Sequence, residues 1–159
     1  MQGTHSYTQD ERNSSIFIYV NGEICPREDA KISVFDSGFL LGDGVWEGIR
    51  LHNGQLCFIA EHLERLYQGA SKLKIDIGKS KDELEKSIYE TVEKNEMHSD
   101  VHIRLIVSRG LKKTPYQHPN ANVGGATVVI IPEFKKADKT MLEKGIRLCL
   151  ANTRRGPQN

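Results

Sequence analysis

Trp46, Gly48 and Arg50 are the residues of this sequence whose types and spacing best suit the binding of a small molecule. They lie in the segment DSGFLLGDGVWEGIR, 36–50, which places the only tryptophan of the chain between a glycine-rich run and an arginine. In an extended strand these three side chains share one face. Glycine weakens a strand, and its usual justification is the close approach of a ligand or another backbone. The face could hold a small anionic or zwitterionic molecule. Equally, it could bind nothing and consist of a tryptophan packed in the core beside an exposed arginine.

The glycines of this segment do not form a phosphate-binding motif. The spacing in GDGVWEG departs from the dinucleotide fingerprint, and no GK[ST] follows as in a P-loop. Gly42 and Gly44 suit a tight turn with positive φ angles. Spacing alone therefore favours a turn that leads into a strand.

Two further groups of basic residues lie on regular elements. In EHLERL, His62 and Arg65 are one helical turn apart, and Glu61 is spaced to pair with Arg65. In VHIRLIVSRG, His102 and Arg104 share one strand face. Local evidence favours a solvated ion pair in the first group and the wet face of a sheet in the second. No histidines have metal-ligand spacing, so we predict no metal site, and local motifs alone do not define an enzyme class.

The composition is that of one globular domain. The chain has 159 residues, of which 38% are hydrophobic and 27% charged, with a formal net charge of +1. This balance gives no reason to expect nucleic acid or a membrane as partner. The three cysteines are odd in number and form no CxxC pair, and the polar N-terminus lacks the apolar region of a signal peptide. We therefore expect a cytoplasmic protein.

Hydrophobic periodicity predicts an α+β fold in which a mostly antiparallel sheet packs against two helices. Asn21-Gly22 and Asn53-Gly54 predict two hairpins. Apolar residues at helical spacing predict helices over 60–75 and 80–97, the second capped by Ser80 with Glu83. Period-two patterns predict three strands, over 101–109, 126–134 and 145–153. A loop over 110–125 is expected to connect the first two.

Taken together, these segments resemble the N-terminal half of the class IV (fold-type IV) pyridoxal-phosphate-dependent aminotransferases. The resemblance rests on GDGVWEGIR, on HLERL at the right separation, on VHIRLIVSRG and on EKGIRLCLANTRRGP, in this order. It implies a two-layer α+β domain that binds pyridoxal 5'-phosphate (PLP) in the complete enzyme. It also implies an amino acid and a 2-oxo acid as substrates, and a homodimer.

The resemblance assigns roles to five residues. Arg65 corresponds to the arginine that binds the cofactor phosphate, and a guanidinium suits phosphate because it forms bidentate hydrogen bonds. Trp46 and Gly48 correspond to the wall of the substrate pocket, and His102 and Arg104 to further pocket positions. We therefore expect Trp46 to be exposed, with Val45 and Ile49 buried behind it and open space above Gly48. We also expect Arg65 to face the concave side of the sheet.

Several positions depart from the patterns of both main branches of the family. The D-amino-acid enzymes hold the substrate carboxylate with an arginine and a histidine, where this chain has Thr114 and Tyr116, unless His118 substitutes. Branched-chain enzymes commonly have a tyrosine at the position of Leu41. Because Arg104 matches a branched-chain pocket arginine, a branched-chain substrate is favoured over a D-amino acid.

The resemblance also predicts how the chain is organised. We expect a flexible tail over 1–15, the N-terminal domain over 16–150, and the start of an interdomain connection over 151–159. The lysine that forms the family's Schiff base is expected beyond the RRGP segment, so this chain is expected to be a fragment without the catalytic lysine or the C-terminal domain. The alternatives are a non-catalytic module or partner subunit, and a lyase of the aminodeoxychorismate type.

Overall fold

Six strands pair into one antiparallel sheet in the computed structural model of the chain, which describes residues 9–136, 143, 145 and 148–153. These strands are β1 (Phe17–Val20), β2 (Glu23–Pro26), β3 (Gly44–His52), β4 (Gln55–Leu56), β5 (Val101–Ser108) and β8 (Thr127–Phe134). Two short strands between β5 and β8, β6 (Leu111–Lys112) and β7 (Asn122–Val123), pair with each other in a second sheet. The order across the sheet is β2-β1-β8-β5-β3-β4. The helices are α1 (Ser37–Leu41), α2 (Ile59–Lys72) and α3 (Lys81–Lys94). These elements belong to the larger of two compact units, Asp10–Lys136, and the predicted α+β fold is confirmed.

The centre of the sheet is fixed by long antiparallel ladders. β5 pairs with β3 over eight residue pairs on one side and with β8 over eight on the other. Along β5 the burial alternates, and the inward side chains are fully enclosed: Val101, Ile103, Leu105 and Val107. Since a shift by one residue would turn these apolar side chains to the opposite face, the ladders and the core together determine the register.

Helices α2 and α3 cover the inner face of the sheet. α2 packs against β3, and α3 packs against β1 and β8. The core side chains of the two helices recur at helical spacing: Leu63, Leu66 and Ala70 in α2, and Leu84, Ile88 and Val92 in α3. The predicted capping box is present at α3, where the hydroxyl of Ser80 accepts from the backbone N–H of Glu83 and the Glu83 carboxylate accepts from that of Ser80.

Both predicted hairpin turns are present, but the second hairpin is short. Asn21 and Asn53 adopt φ angles of 50° and 48° and are followed by glycines with positive φ, as Asn-Gly turns require. β4 contains only Gln55–Leu56, because α2 begins soon afterwards at Ile59, with Phe58 in the left-handed conformation at its N-cap. Most of β3 therefore has no strand partner on the side away from β5 within the described chain.

The structure differs from the sequence predictions at the N-terminal tail and in the loop after β5, and a third predicted segment falls partly on residues that it does not describe. The tail predicted over 1–15 is wrong for its last residues, because Glu11–Ser15 forms a 3-10 helix whose Asn13 side chain bonds the backbone of Phe134 in both directions. The loop predicted over 110–125 contains β6, β7 and a second 3-10 helix. The strand predicted over 145–153 falls partly outside the described residues, and those described there are not in a strand.

In the described part of the chain, no helix has both the length and the apolar character needed to span a bilayer.

The packing of α2 on the sheet predicts a sharp contrast between two leucines of one segment. Leu66 is fully buried, whereas Leu73 at the end of α2 is exposed. Leu66→Ala should lower the free energy of unfolding by about 2–5 kcal/mol, the usual cost of a large-to-small change in a core. Leu73→Ala should cost about 0.5 kcal/mol or less. Urea unfolding of both variants checks this, and equal losses would contradict the docking of α2.

Candidate functional site

Strand β3 carries candidate site residues on both of its faces. Trp46 is 59% exposed on the outer face, away from the helices, while Glu47 and Ile49 are buried on the inner face. The exposure expected for Trp46 and the burial expected for Ile49 are thus observed. Val45 is only half-buried, where it packs against Gly69 of α2. Strand alternation therefore separates two clusters of candidate residues, one on each side of the sheet.

The outer cluster brings together Trp46, Gly48, His102 and Arg104. The β3–β5 register pairs Gly48 with Arg104, and the guanidinium carbon of Arg104 lies 4.0 Å from the centroid of the Trp46 ring. This distance suits a cation–π contact between the guanidinium and the aromatic face. All four residues to which sequence reasoning gave a pocket role therefore lie on one patch of the sheet.

The space above Gly48 is not open, contrary to expectation. A Cβ atom added at Gly48 would lie 3.0 Å from Nε2 of His102 and 4.0 Å from the Trp46 ring. The His102 side chain comes from the neighbouring strand β5 and lies over the glycine. The glycine thus makes room for this histidine, a cross-strand contact that can be predicted only once the strand register is known.

The outer cluster is electropositive. Partial burial is the main cause that lowers the pKa of His102 below its ordinary value, and the cations Lys135, Arg50 and Arg104 lower it further. Arg50 is held in place by a hydrogen bond that it donates to the backbone carbonyl of Lys135. An anionic group that bound here would meet several cations and a histidine that favours its neutral form.

An apolar cavity adjoins the outer cluster. Its volume is about 530 Å³, within the range of small-molecule sites. Its lining is mainly apolar and includes Trp46, Phe39, Ile106, Val129 and Ile131. One wall is α1, which Asp36 attaches to β5: the buried Asp36 carboxylate caps α1 through the N–H of Gly38 and accepts from the hydroxyl of Ser108 at 2.9 Å.

The inner cluster is centred on the carboxylate of Glu47, which sequence reasoning missed. Arg65 donates to it in bidentate fashion, from Nε to Oε1 at 2.7 Å and from Nη2 to Oε2 at 2.6 Å. Nδ1 of His62 lies 2.8 Å from Oε2. Since an ionised carboxylate only accepts, Nδ1 of His62 carries the proton in this contact. Counting the strand alternation from Ile49 could have placed the charge of Glu47 inside and shown that it needed partners.

Arg65 thus has a different partner from the one its helix spacing suggested. The local prediction was Glu61, one turn earlier on α2, whereas the partner observed is Glu47 on β3. The hydrogen bonds from Arg65, followed by the one from His62, lower the pKa of Glu47 below its ordinary value despite its burial. The Glu47 side chain is 6% exposed and that of Arg65 is 70% exposed, so the guanidinium extends from a buried anchor to the surface.

The donors of Arg65 that remain free suit a phosphate. Glu47 engages Nε and Nη2, and within residues 9–136 Nη1 makes no hydrogen bond. A guanidinium edge that is exposed and carries unpaired N–H groups is the donor arrangement that binds phosphate oxygens. The residues present therefore fit the phosphate of a cofactor, although the structure places Arg65 and the Trp46 patch on opposite sides of β3.

The sequence was compared with the characteristic patterns of known protein families. The sequence pattern of the amino-transferase class IV family matches residues 44–159, which include β3, α2 and β5. The chain belongs to the class IV aminotransferases. The family resemblance predicted from GDGVWEGIR and HLERL is confirmed.

Individual relatives of this class IV aminotransferase chain include branched-chain and D-alanine enzymes. Branched-chain-amino-acid aminotransferase-like protein 1 of Arabidopsis thaliana is 40% identical over 92% of this chain and 26% of its own length. A putative branched-chain-amino-acid aminotransferase of Methanocaldococcus jannaschii is 47% identical over 59% of this chain and 32% of its own. D-alanine aminotransferase of Listeria monocytogenes is 37% identical over 64% of this chain and 34% of its own length. The chain thus spans about a quarter to a third of the length of these relatives.

Solved structures of class IV aminotransferases match the fold as well. The branched-chain aminotransferase of the thermophilic archaeon Thermoproteus uzoniensis, determined with norvaline, superposes with a TM-score of 0.63 at 28% identity. The match covers 75% of this chain and 40% of that chain. The branched-chain amino acid aminotransferase of Escherichia coli superposes with a TM-score of 0.66 at 27% identity, over 75% of this chain and 40% of that chain. The α+β architecture predicted from the sequence is that of the N-terminal domain in these enzymes.

The contact above Gly48 predicts how two glycines of β3 differ. In Gly48→Ala the close neighbour of the new methyl group is the His102 ring, which can shift, so we expect a loss of stability of about 1 kcal/mol or less. In Gly44→Ala the Cβ atom would lie 2.6 Å from the backbone oxygen of Val107, and we expect a loss of about 2–3 kcal/mol. Chemical unfolding measures both. His102 ring resonances should move in Gly48→Ala, and unchanged resonances would contradict the contact.

The lowered pKa of Glu47 predicts a pH dependence of stability. A carboxylate whose pKa in the folded state is depressed contributes stability above its unfolded value, 4.5, and loses it as pH falls through the lowered pKa. The stability difference between the wild type and Glu47→Gln should therefore be largest near neutral pH and shrink in acid. Glu61→Gln, an exposed control on α2, should show little difference at either pH. A difference for Glu47→Gln that is constant with pH would contradict the ion pair.

Proposed function

We propose that the complete protein is a PLP-dependent aminotransferase that transfers an amino group between an amino acid and a 2-oxo acid, with a branched-chain amino acid as the favoured substrate. Arg65 would bind the cofactor phosphate, and Trp46, Gly48, His102 and Arg104 would face the substrate. The proposal includes a homodimer, as the family suggests, and a cytoplasmic location, with which the free cysteines agree.

The observation that carries this proposal is the exposed, anchored guanidinium of Arg65 in a chain of this family. Nε and Nη2 of Arg65 donate to Glu47, and the side chain is mostly exposed, so its remaining N–H groups are accessible to a phosphate. When bound, PLP supplies an electron sink for the chemistry at the substrate α-carbon. The part of this chain is to bind and orient the cofactor and the substrate.

The open edge of β3 offers a route by which one ligand could contact both clusters. β3 pairs with β4 only at Leu51 and His52, so the stretch from Gly44 to Gly48 is without a strand neighbour on that side among the described residues. Arg65 lies on the inner side of this edge and Trp46 on the outer side. A flat molecule placed along the edge could present its phosphate to Arg65 and its reacting end to the Trp46 patch.

The outer face supports the choice of substrate class. Arg104 and Arg50 supply positive charge for a carboxylate, and the field of these cations favours anionic ligands. The adjoining cavity is apolar and, at about 530 Å³, large enough for an aliphatic side chain. An amino acid with an apolar branched side chain combines these two requirements. The D-amino-acid branch of the family is disfavoured because Thr114 and Tyr116 replace its carboxylate-binding pair.

Arg65→Ala tests the cofactor role. A lost charge-assisted hydrogen bond costs about 1.5–3 kcal/mol, so PLP should bind about 10- to 100-fold more weakly to the full-length protein. Absorbance titration with PLP measures this affinity. Arg27→Ala is the control, because Arg27 is also a partly exposed arginine near a carboxylate but directly follows β2, outside both clusters. PLP affinity that is unchanged in Arg65→Ala would refute the phosphate assignment.

A further inference from the structure

We propose that Glu47 is the positioning residue of the phosphate site: its buried carboxylate fixes the orientation of Arg65, and with it the affinity for a phosphate group. This inference rests on the proposed function, because it takes Arg65 as the phosphate-binding residue. Glu47 itself would not touch the ligand. It acts through the guanidinium that it holds.

The first step of the argument is the rigidity of the anchor. Glu47 pairs with Leu105 in the β3–β5 ladder, between residues that are also paired, so its backbone is fixed in the sheet. Its carboxylate is enclosed and receives three hydrogen bonds, two from Arg65 and one from Nδ1 of His62. An acceptor that is held at its backbone and at both oxygens has little freedom to move.

The second step is the freedom that Arg65 would otherwise have. The arginine is on the surface of α2 with 70% of its side chain exposed. Its Nη2 also lies 3.3 Å from Nδ1 of His62, but that nitrogen carries a proton, so Glu47 alone accepts hydrogen bonds from Arg65 in the described chain. An unrestrained arginine samples many rotamers. The bidentate contact fixes the plane of the guanidinium, so that part of this rotamer freedom is already lost before a ligand binds.

The third step concerns charge, which opposes the effect of position. The carboxylate of Glu47 also repels an approaching phosphate, so its removal would strengthen binding if charge alone mattered. For Glu47→Gln, the loss of positioning therefore predicts a lower affinity for phosphate, whereas the loss of charge predicts a higher one. Glu47→Asp separates them further, because aspartate keeps the charge but is too short by one methylene to hold Arg65 in the same way.

The experiment measures the binding of PLP and of inorganic phosphate to the full-length protein and its Glu47→Gln and Glu47→Asp variants. Ordering one rotamer-rich side chain costs about 0.5–1.5 kcal/mol, so both variants should bind each probe about two- to tenfold more weakly. Wild-type or tighter binding by either variant would overturn the proposal. The Nε–H resonance of Arg65 should lose its protection from solvent exchange in both variants. If Glu47→Gln fails to fold, Glu47→Asp alone decides, because wild-type affinity in that variant overturns positioning.

A double-mutant cycle with Arg65→Ala separates this inference from the proposed function. In the Arg65→Ala background, Glu47→Gln should have no further weakening effect on phosphate affinity, because there is no guanidinium to position. Equal weakening in both backgrounds would indicate a general structural role and overturn the positioning. If Arg65→Ala leaves the affinity unchanged, the phosphate assignment itself fails. If it weakens binding and neither Glu47 variant does, only the positioning role fails. Glu61→Gln, exposed on α2, is the matched control and should bind both probes as the wild type does.

Discussion

The inward charge of Glu47 is the constraint on which the arrangement of β3 and α2 depends. A carboxylate buried among Ile49, Leu51 and the helices would cost several kcal/mol if it lacked a partner. His62 and Arg65, one turn apart on α2, supply the partners, and both reach the same carboxylate only when that face of α2 lies over β3. The apolar side chains Leu63 and Leu66 fix the same orientation by burial. Packing and electrostatics thus agree on where α2 sits.

The alternation of β3 transmits this constraint to the outer face. With Glu47 and Ile49 directed inward, Trp46 and Gly48 must be directed outward, and the β5 register then places Arg104 and His102 beside them. A slip of one residue would expose Ile49, bury Trp46 and leave Glu47 without its arginine. The Glu47–Arg65 ion pair on one side of the strand and the aromatic, cationic patch on the other are therefore two consequences of a single register.

Local patterns are sufficient to predict most elements and insufficient to predict most contacts. The Asn-Gly turns, the Ser80 capping box and the periods of α2 and α3 each depend on residues close in sequence, and their prediction is confirmed. The partner of Arg65 is not predicted, because the i,i+4 rule favours Glu61 and cannot detect a strand residue 18 positions away. The same holds for His102 above Gly48, which requires the pairing of β3 with β5. The five residues of helix α1 are too few to show a period, so the sequence pattern does not reveal it.

The outer cluster places cationic side chains and an apolar surface side by side. The guanidinium carbon of Arg104 lies over the Trp46 ring, so the positive charge is held against the aromatic face. The same ring continues into the apolar cavity, where Phe39 and Ile131 contribute to the lining. Because burial and the nearby cations disfavour a charged His102, the histidine adds hydrogen-bonding capacity without adding repulsion between like charges. Trp46 thus lies at the boundary between a cationic surface and an apolar one.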